Sequence, residues 1–263
     1  MPPSQKRARR YDFDTTRTAV LAQFEHVRSA VTALTPDQLA LPTRLGDWTV
    51  RELAAHLVMV VESVSGFLDQ EAPAAQELTL LEWPFATASV AVQISDDVRA
   101  LAAASTPEEL FARTAARIGE RLPGADGERL LRTRVGAMRL CDYLVTRCVE
   151  LTVHTDDLNA AAGLEVPYDR QALAACTRLL ADALAVKAPG ASTEVRVPPF
   201  AVVQCIEGPR HTRGTPPNVV ETDPLSWIRL ATGRTEWQTA VDGAKVAASG
   251  ERADLSALLP VMS

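Results

Sequence analysis

The sequence predicts an α+β protein of two domains, a helical bundle followed by a smaller portion of mixed strands and helices. Three observations carry this. Apolar residues recur at steps of three and four through most of the first 163 residues, the period of a helix with one buried face. Beyond Pro189-Gly190, short valine-rich runs that alternate in polarity take over, the mark of strands. Between the two, Gly163 and Pro167 punctuate the chain, as helix ends and linkers do. The expected division is a disordered basic tail over 1–13, a helical domain over 14–165 and an α/β domain over 166–263.

Composition narrows the class. A length of 263 residues fits two domains of ordinary size. Aromatics make up only 5%, so leucine, valine and alanine must fill the core. The net charge of −6 argues against nucleic acid as a partner, since that needs a basic face. The exception is Lys6 to Arg10, KRARR, read as part of the disordered tail. No run of 18 apolar residues occurs, so no membrane span is expected. The N-terminus lacks the apolar core of a secretory signal, which points to the cytoplasm. Cys141, Cys148, Cys176 and Cys205 form no C-x-x-C pair and read as buried small hydrophobes in a reducing compartment.

The elements follow in order. Val20, Leu21, Phe24, Val27, Val31 and Leu34 give a helix over 14–34, ended at Pro36. Residues 39–47 form a loop. Thr49 caps a second helix, with Glu52 completing a capping box, and its apolar face runs from Leu53 to Leu68. His56 lies within that face. Residues 70–84 read as loop, with Trp83-Pro84-Phe85 as an anchor. A helix over 86–104 precedes another that starts at Pro107 after a Thr106 cap and runs to Arg121; the sequence leaves open whether these are one interrupted helix or two. Residues 122–127 turn, and 128–136 connect. After the helix over 141–163 come a helix over 169–186, strands at 194–197, 201–206 and 218–222, short helices over 225–232 and 235–241, and a last strand at 245–248.

The helix over 141–163 is the one that suggests chemistry. Leu144, Cys148, Leu151 and Leu158 form its apolar row. Beside them Arg147, Glu150, His154 and Asp157, spaced 3, 4 and 3, make one polar stripe. Glu150 and His154 are an i,i+4 pair, so carboxylate and imidazole reach one point, as in the metal sites of helical bundles. Alone, such a pair more often belongs to a solvated face carrying ion pairs. A metal site needs a third ligand from elsewhere.

Two segments supply a resemblance. Asp47-Trp48-Thr49-Val50-Arg51-Glu52-Leu53-Ala54-Ala55-His56-Leu57 is similar to the W-T-v-r-e-l-x-x-H-l motif of the DinB-like metal-binding four-helix bundles, and Glu150-Leu151-Thr152-Val153-His154-Thr155-Asp156-Asp157-Leu158 to the E-x-x-v-H-x-x-D-l motif of their mycothiol-dependent maleylpyruvate isomerase branch. The resemblance covers 14–163. It implies that His56, Glu150 and His154 ligate a divalent metal, with Asp157 orienting His154. Two imidazoles and a carboxylate leave open positions, as catalytic sites do; zinc is the default, and iron(II) or nickel also suit the set.

The second portion resembles a bacterial sterol-carrier-protein type domain, through Val197-Pro198-Pro199-Phe200, the loop Gly208 to Pro217, Glu221 to Pro224 and Ser249 to Leu255. In that loop Arg210, His211 and Arg213 stand on a stiff Gly/Pro frame suited to a carboxylate, or form a solvated basic loop. Together the resemblances imply a metal-dependent isomerase or transferase that uses mycothiol on a small organic acid. Arg210 and Arg213 are its candidate catalytic clamps on the substrate carboxylate. The alternative is a carrier that holds an apolar ligand under the sheet, with a structural or vestigial metal bundle.

Overall fold

A computed structural model of the chain describes residues 9–208 and 217–262. Helix α1 (Phe13–Val31) starts where the Asp12 side chain accepts the Thr15 N–H at 2.8 Å. Part of the expected tail is thus built into the fold: Arg9 pairs with Asp182 at 2.7 Å and the Tyr11 phenol is buried, while residues 1–8 lie outside the described residues. Helix α1 ends at Val31, short of the expected 34, and Pro36 opens a short turn, α2 (Pro36–Leu39), capped by Thr35. Helix α3 (Val50–Leu68) begins as its motif requires, with Glu52 accepting the Thr49 N–H at 2.9 Å.

The anchor at Trp83 is a turn of helix, α4 (Trp83–Ala86), and a 3-10 turn leads from it into α5 (Ala91–Ala104). Ser105 is extended, so α5 and α6 (Pro107–Arg121) are separate helices. Residues 128–136, expected as a connector, instead contribute to a hairpin of β1 (Leu130–Thr133) and β2 (Gly136–Arg139). Its two-residue turn closes at Gly136, whose φ of +130° favours glycine. The strand signal is faint because each strand is only four residues long and β2 does not alternate in burial.

Helix α7 (Leu140–Ala162) is the centre of the molecule and stops at Gly163, left-handed at φ 64°. It packs on α1, α3 and α8 (Arg170–Lys187), which explains why it is buried on nearly every side rather than on one stripe. With α1, α3 and α6 it makes a four-helix bundle, joined by α5 against α3. Phe24 of α1 stacks on Phe111 of α6, ring centroids 5.2 Å apart, in a core that is mostly leucine, valine and alanine.

Helix α8 packs against the bundle and also against a four-stranded sheet. The sheet has the order β4 (Ala201–Cys205), β3 (Thr193–Val197), β5 (Val219–Thr222), β6 (Val246–Ser249). Strand β3 is antiparallel to β4 and parallel to β5; β5 is antiparallel to β6. The inward residues Val195, Val197, Val203, Cys205 and Val220 are all buried. Helix α9 (Pro224–Ala231), capped by Asp223, seats Trp227 against α8 with its indole N–H on the Thr177 carbonyl at 3.3 Å, and α10 (Trp237–Asp242) follows. No helix of the described residues is long and apolar enough to cross a bilayer.

Candidate metal centre

His56 projects from the second turn of α3, while Glu150 and His154 stand one turn apart on α7. Their packing brings all three together: His56 Nε2 lies 3.2 Å and His154 Nε2 3.4 Å from the same carboxylate oxygen, Glu150 Oε2. The three donor atoms fall within 4.8 Å of one another. Neighbouring ligands on a tetrahedral ion with bonds of about 2.1 Å sit about 3.4 Å apart. The donor set therefore fits a divalent cation in both chemistry and spacing.

Different devices hold the two imidazoles. His154 Nδ1–H donates to Asp157 Oδ2 at 2.8 Å, which fixes the tautomer and leaves the Nε2 lone pair facing the site. His56 has no such partner, and its Nδ1 is buried without a hydrogen bond. Packing positions its ring instead. Trp48 lies against it with centroids 5.3 Å apart, and Ser95 holds the indole N–H of Trp48 at 3.0 Å. The two imidazoles meet edge to face at 4.6 Å.

Electrostatics divide the three groups. Burial works against a charge on each. It wins at His56, whose pKa falls. At His154 the bonds to Asp157 and Glu150 outweigh burial and the pKa rises. At Glu150 the two imidazoles beside the carboxylate, with the nearby Arg147 charge, outweigh burial and hold the carboxyl well below its usual range. A permanent carboxylate between two imidazoles is a site ready for a cation.

Behind the triad, Asp157 orients His154 as the resemblance implied, but the ion pairs that hold Asp157 and Asp156 were not found by sequence reasoning. Asp157 pairs with Arg44 and with Arg234, the latter at 2.9 Å. Asp156 pairs with Arg44 and with Arg229, at 2.6 Å to Arg229, and accepts the Tyr168 hydroxyl at 3.2 Å. Arg229 belongs to α9 and Arg234 follows it, so the C-terminal portion reaches the ligand helix directly. One signal was available. Asp156 and Asp157 are adjacent acids on a helix with no lysine or arginine three or four residues away, so any arginine or lysine partners had to come from another element. The candidate clamps Arg210 and Arg213 lie outside the described residues.

A pocket of about 80 Å³ opens over His56 and Glu150. Its walls are mainly apolar, and Arg147 and Arg134 are its cations.

Comparison with known proteins decides the family. A family model described as the mycothiol maleylpyruvate isomerase N-terminal domain matches residues 20–159, more than half of the chain. The chain belongs to the mycothiol maleylpyruvate isomerase family. A second model, described as a bacterial SCP ortholog, matches residues 169–261. The crystal structure of the mycothiol-dependent maleylpyruvate isomerase aligns with a TM-score of 0.59 at 16% identity, covering 93% of this chain and 95% of that one. A point mutant of that isomerase aligns with a TM-score of 0.58 at the same identity and coverage. YfiT from Bacillus subtilis, titled a probable metal-dependent hydrolase with an unusual four-helix bundle topology, covers 62% of this chain and 97% of its own at 22% identity and a TM-score of 0.34. No curated protein matches the chain. At 16% identity the isomerase structures establish a shared fold through both portions of the family member.

Proposed function

We propose that the chain is a metal-dependent enzyme that uses a low-molecular-weight thiol, mycothiol, on a small organic acid, as a maleylpyruvate isomerase-like isomerase or a thiol transferase. Family membership supports the thiol. The carrying observation is the meeting of His56 Nε2, His154 Nε2 and Glu150 Oε2 at ion-binding spacing. Zinc suits two imidazoles and a carboxylate with an open position, and iron(II) or nickel are the other candidates. Bound there, the ion would supply Lewis acidity that lowers the pKa of a coordinated thiol.

This chain's residues prepare the site. Asp157 keeps the His154 proton on Nδ1, Trp48 fixes the His56 ring, and Glu150 stays ionised between them. An external thiol is also what the cysteines call for. Burial pushes Cys141 and Cys205 up to about 11 and raises Cys148 and Cys176 further, which disfavours a protein thiolate at neutral pH. We assign residues 14–165 to holding the metal and 166–263, the sterol-carrier-like portion, to bracing the ligand helix through Arg229 and Arg234. The carrier alternative has no supporting observation, because side chains fill the inward face of the sheet.

Elemental analysis tests the reading. One ion per chain is expected in the wild type and none in Glu150→Ala, with thiol-dependent turnover lost in His154→Ala. Equal metal in both proteins, or full turnover in His154→Ala, would overturn it.

A further inference from the structure

The pocket over His56 and Glu150 is also lined by Arg147, which stands one turn before Glu150 on α7 and is only 7% exposed. Its guanidinium is held in place on one side. It lies over the Tyr143 ring, 4.3 Å from the centroid. Nε and Nη2 both donate to Thr146 Oγ1 at 3.1 Å, and that oxygen is free to accept because the Thr146 hydrogen goes to the Tyr143 carbonyl at 2.7 Å. Tyr143 is fixed in turn. Ser63 donates to the Val60 carbonyl at 2.8 Å, so the Tyr143 hydroxyl is the donor to Ser63 Oγ at 2.7 Å.

The other side of the guanidinium is unanswered. Nη1 makes no hydrogen bond among the described residues, yet it is not sealed in protein, so its N–H groups open on the pocket. Arg147 forms no ion pair among the described residues; its charge reaches Glu150, but that carboxylate lies between two imidazoles. Guanidinium stays charged at every physiological pH, and a buried charge without a partner carries a heavy desolvation penalty. The remaining donors of the pocket are committed elsewhere. Arg134 pairs with Asp97 at 2.7 Å. Ser63, Thr87 and Thr133 each give the hydroxyl hydrogen to a backbone carbonyl, of Val60, Pro84 and Gly136 respectively. Arg147 is therefore the cation left for a carboxylate, and a guanidinium already fixed in position loses little freedom on binding one.

We propose that Arg147 docks the carboxylate of the substrate acid, which sits on Nη1 with its carbon chain against the apolar wall of Trp83, Ile94 and Val135. The clamp expected of Arg210 and Arg213 thereby falls to a residue of the ligand helix itself. The inference deepens the functional reading and rests on it in that the acid is the proposed substrate. A second acidic group on the ligand is compatible with it, because the His56–Glu150–His154 group borders the same pocket.

Crotonate and crotonamide, alike in shape and different in charge, test the assignment. Each is titrated into the protein as purified and followed by calorimetry with no thiol present. Crotonate is expected to bind with a dissociation constant of about 1 mM, the range open to so small a ligand, and at least tenfold more tightly than the amide. Arg147→Met should keep the wild-type metal content and lose at least tenfold in crotonate affinity, and Arg147→Lys should recover part of it. A crystal structure of the wild-type complex should place a carboxylate oxygen about 3 Å from Arg147 Nη1. The assignment fails if crotonate does not bind, if acid and amide bind alike, if Arg147→Met binds crotonate as the wild type does, or if the carboxylate sits on the metal or elsewhere without touching Arg147. The complex needs no variant and decides the matter even if Arg147→Met does not fold. Neither thiol nor turnover enters, so failure here leaves the thiol-dependent reading standing, whereas a wild type without metal bears on that reading alone.

Discussion

His154 shows how much one side chain depends on those behind it. Its Nε2 faces the site because Asp157 accepts the Nδ1–H hydrogen bond, and Asp157 can do so because Arg44 and Arg234 hold its two oxygens. Asp157→Asn keeps the shape but removes the charge, so the imidazole loses both its fixed tautomer and its added basicity. Metal affinity should drop by about 10- to 100-fold, measured by competition with a chromophoric chelator, while helix content stays unchanged. An unaltered affinity would mean that Asp157 serves only the arginines. His56 depends on Trp48 in another way, through ring packing with no hydrogen bond to Nδ1. The tryptophan in the W-T motif is legible in the sequence as a residue type; that it braces the histidine is visible only once the loop before α3 folds back.

At the scale of elements, helix ends were the most readable feature. Thr49, Thr106, Asp169 and Asp223 all stand at N-caps, and Gly163 stands at the left-handed C-cap. Each is a local event decided by four or five neighbouring residues. Asp223 illustrates the energetics. Burial would raise its carboxyl, but bonds from Ser226 and from the Leu225 and Ser226 N–H groups hold it below the usual value. A depressed folded pKa means the cap contributes fully above the unfolded value of about 4 and is lost as pH falls through the folded value. Asp223→Ala should therefore cost about 1 kcal/mol at neutral pH. Denaturant melts of both proteins should converge as the pH is lowered past 4 toward 2. The hairpin of β1 and β2 lies at the other extreme, because its strands are set by pairing across the turn and by Ala137 N–H donating to Glu77 at 2.9 Å, contacts that no local pattern encodes.

The two portions of the molecule share a built seam. Gln23 of α1 accepts the Asp169 N–H at 2.7 Å and donates to Thr155 and to the Pro167 carbonyl, and Asn159 brackets Val166 from both sides. The stretch between α7 and α8 is therefore fixed. Arg229 and Arg234 complete the seam by holding Asp156 and Asp157. Arg234→Ala leaves the buried Asp157 with Arg44 and His154 only. It should cost about 1–3 kcal/mol of stability and weaken metal binding at the same time, read by denaturant melts and metal titration of one sample. Loss of stability with unchanged metal affinity would show that the seam braces the fold without reaching the ligands.

The sequence by itself determined the long helices and most of their caps, the change from helical to strand period, and the two motifs that carry His56, Glu150 and His154. All of these rest on spacing along a single element. Tertiary structure alone decided that donors 94 residues apart in sequence stand 3.2 Å apart in space. It also decided that Arg44, Arg229 and Arg234 brace the ligand helix, and that Arg147 faces an apolar pocket without a counter-ion. Burial and ion pairing between elements depend on which faces meet. A sequence states which charges a helix carries, but only the packed molecule states which of them are answered.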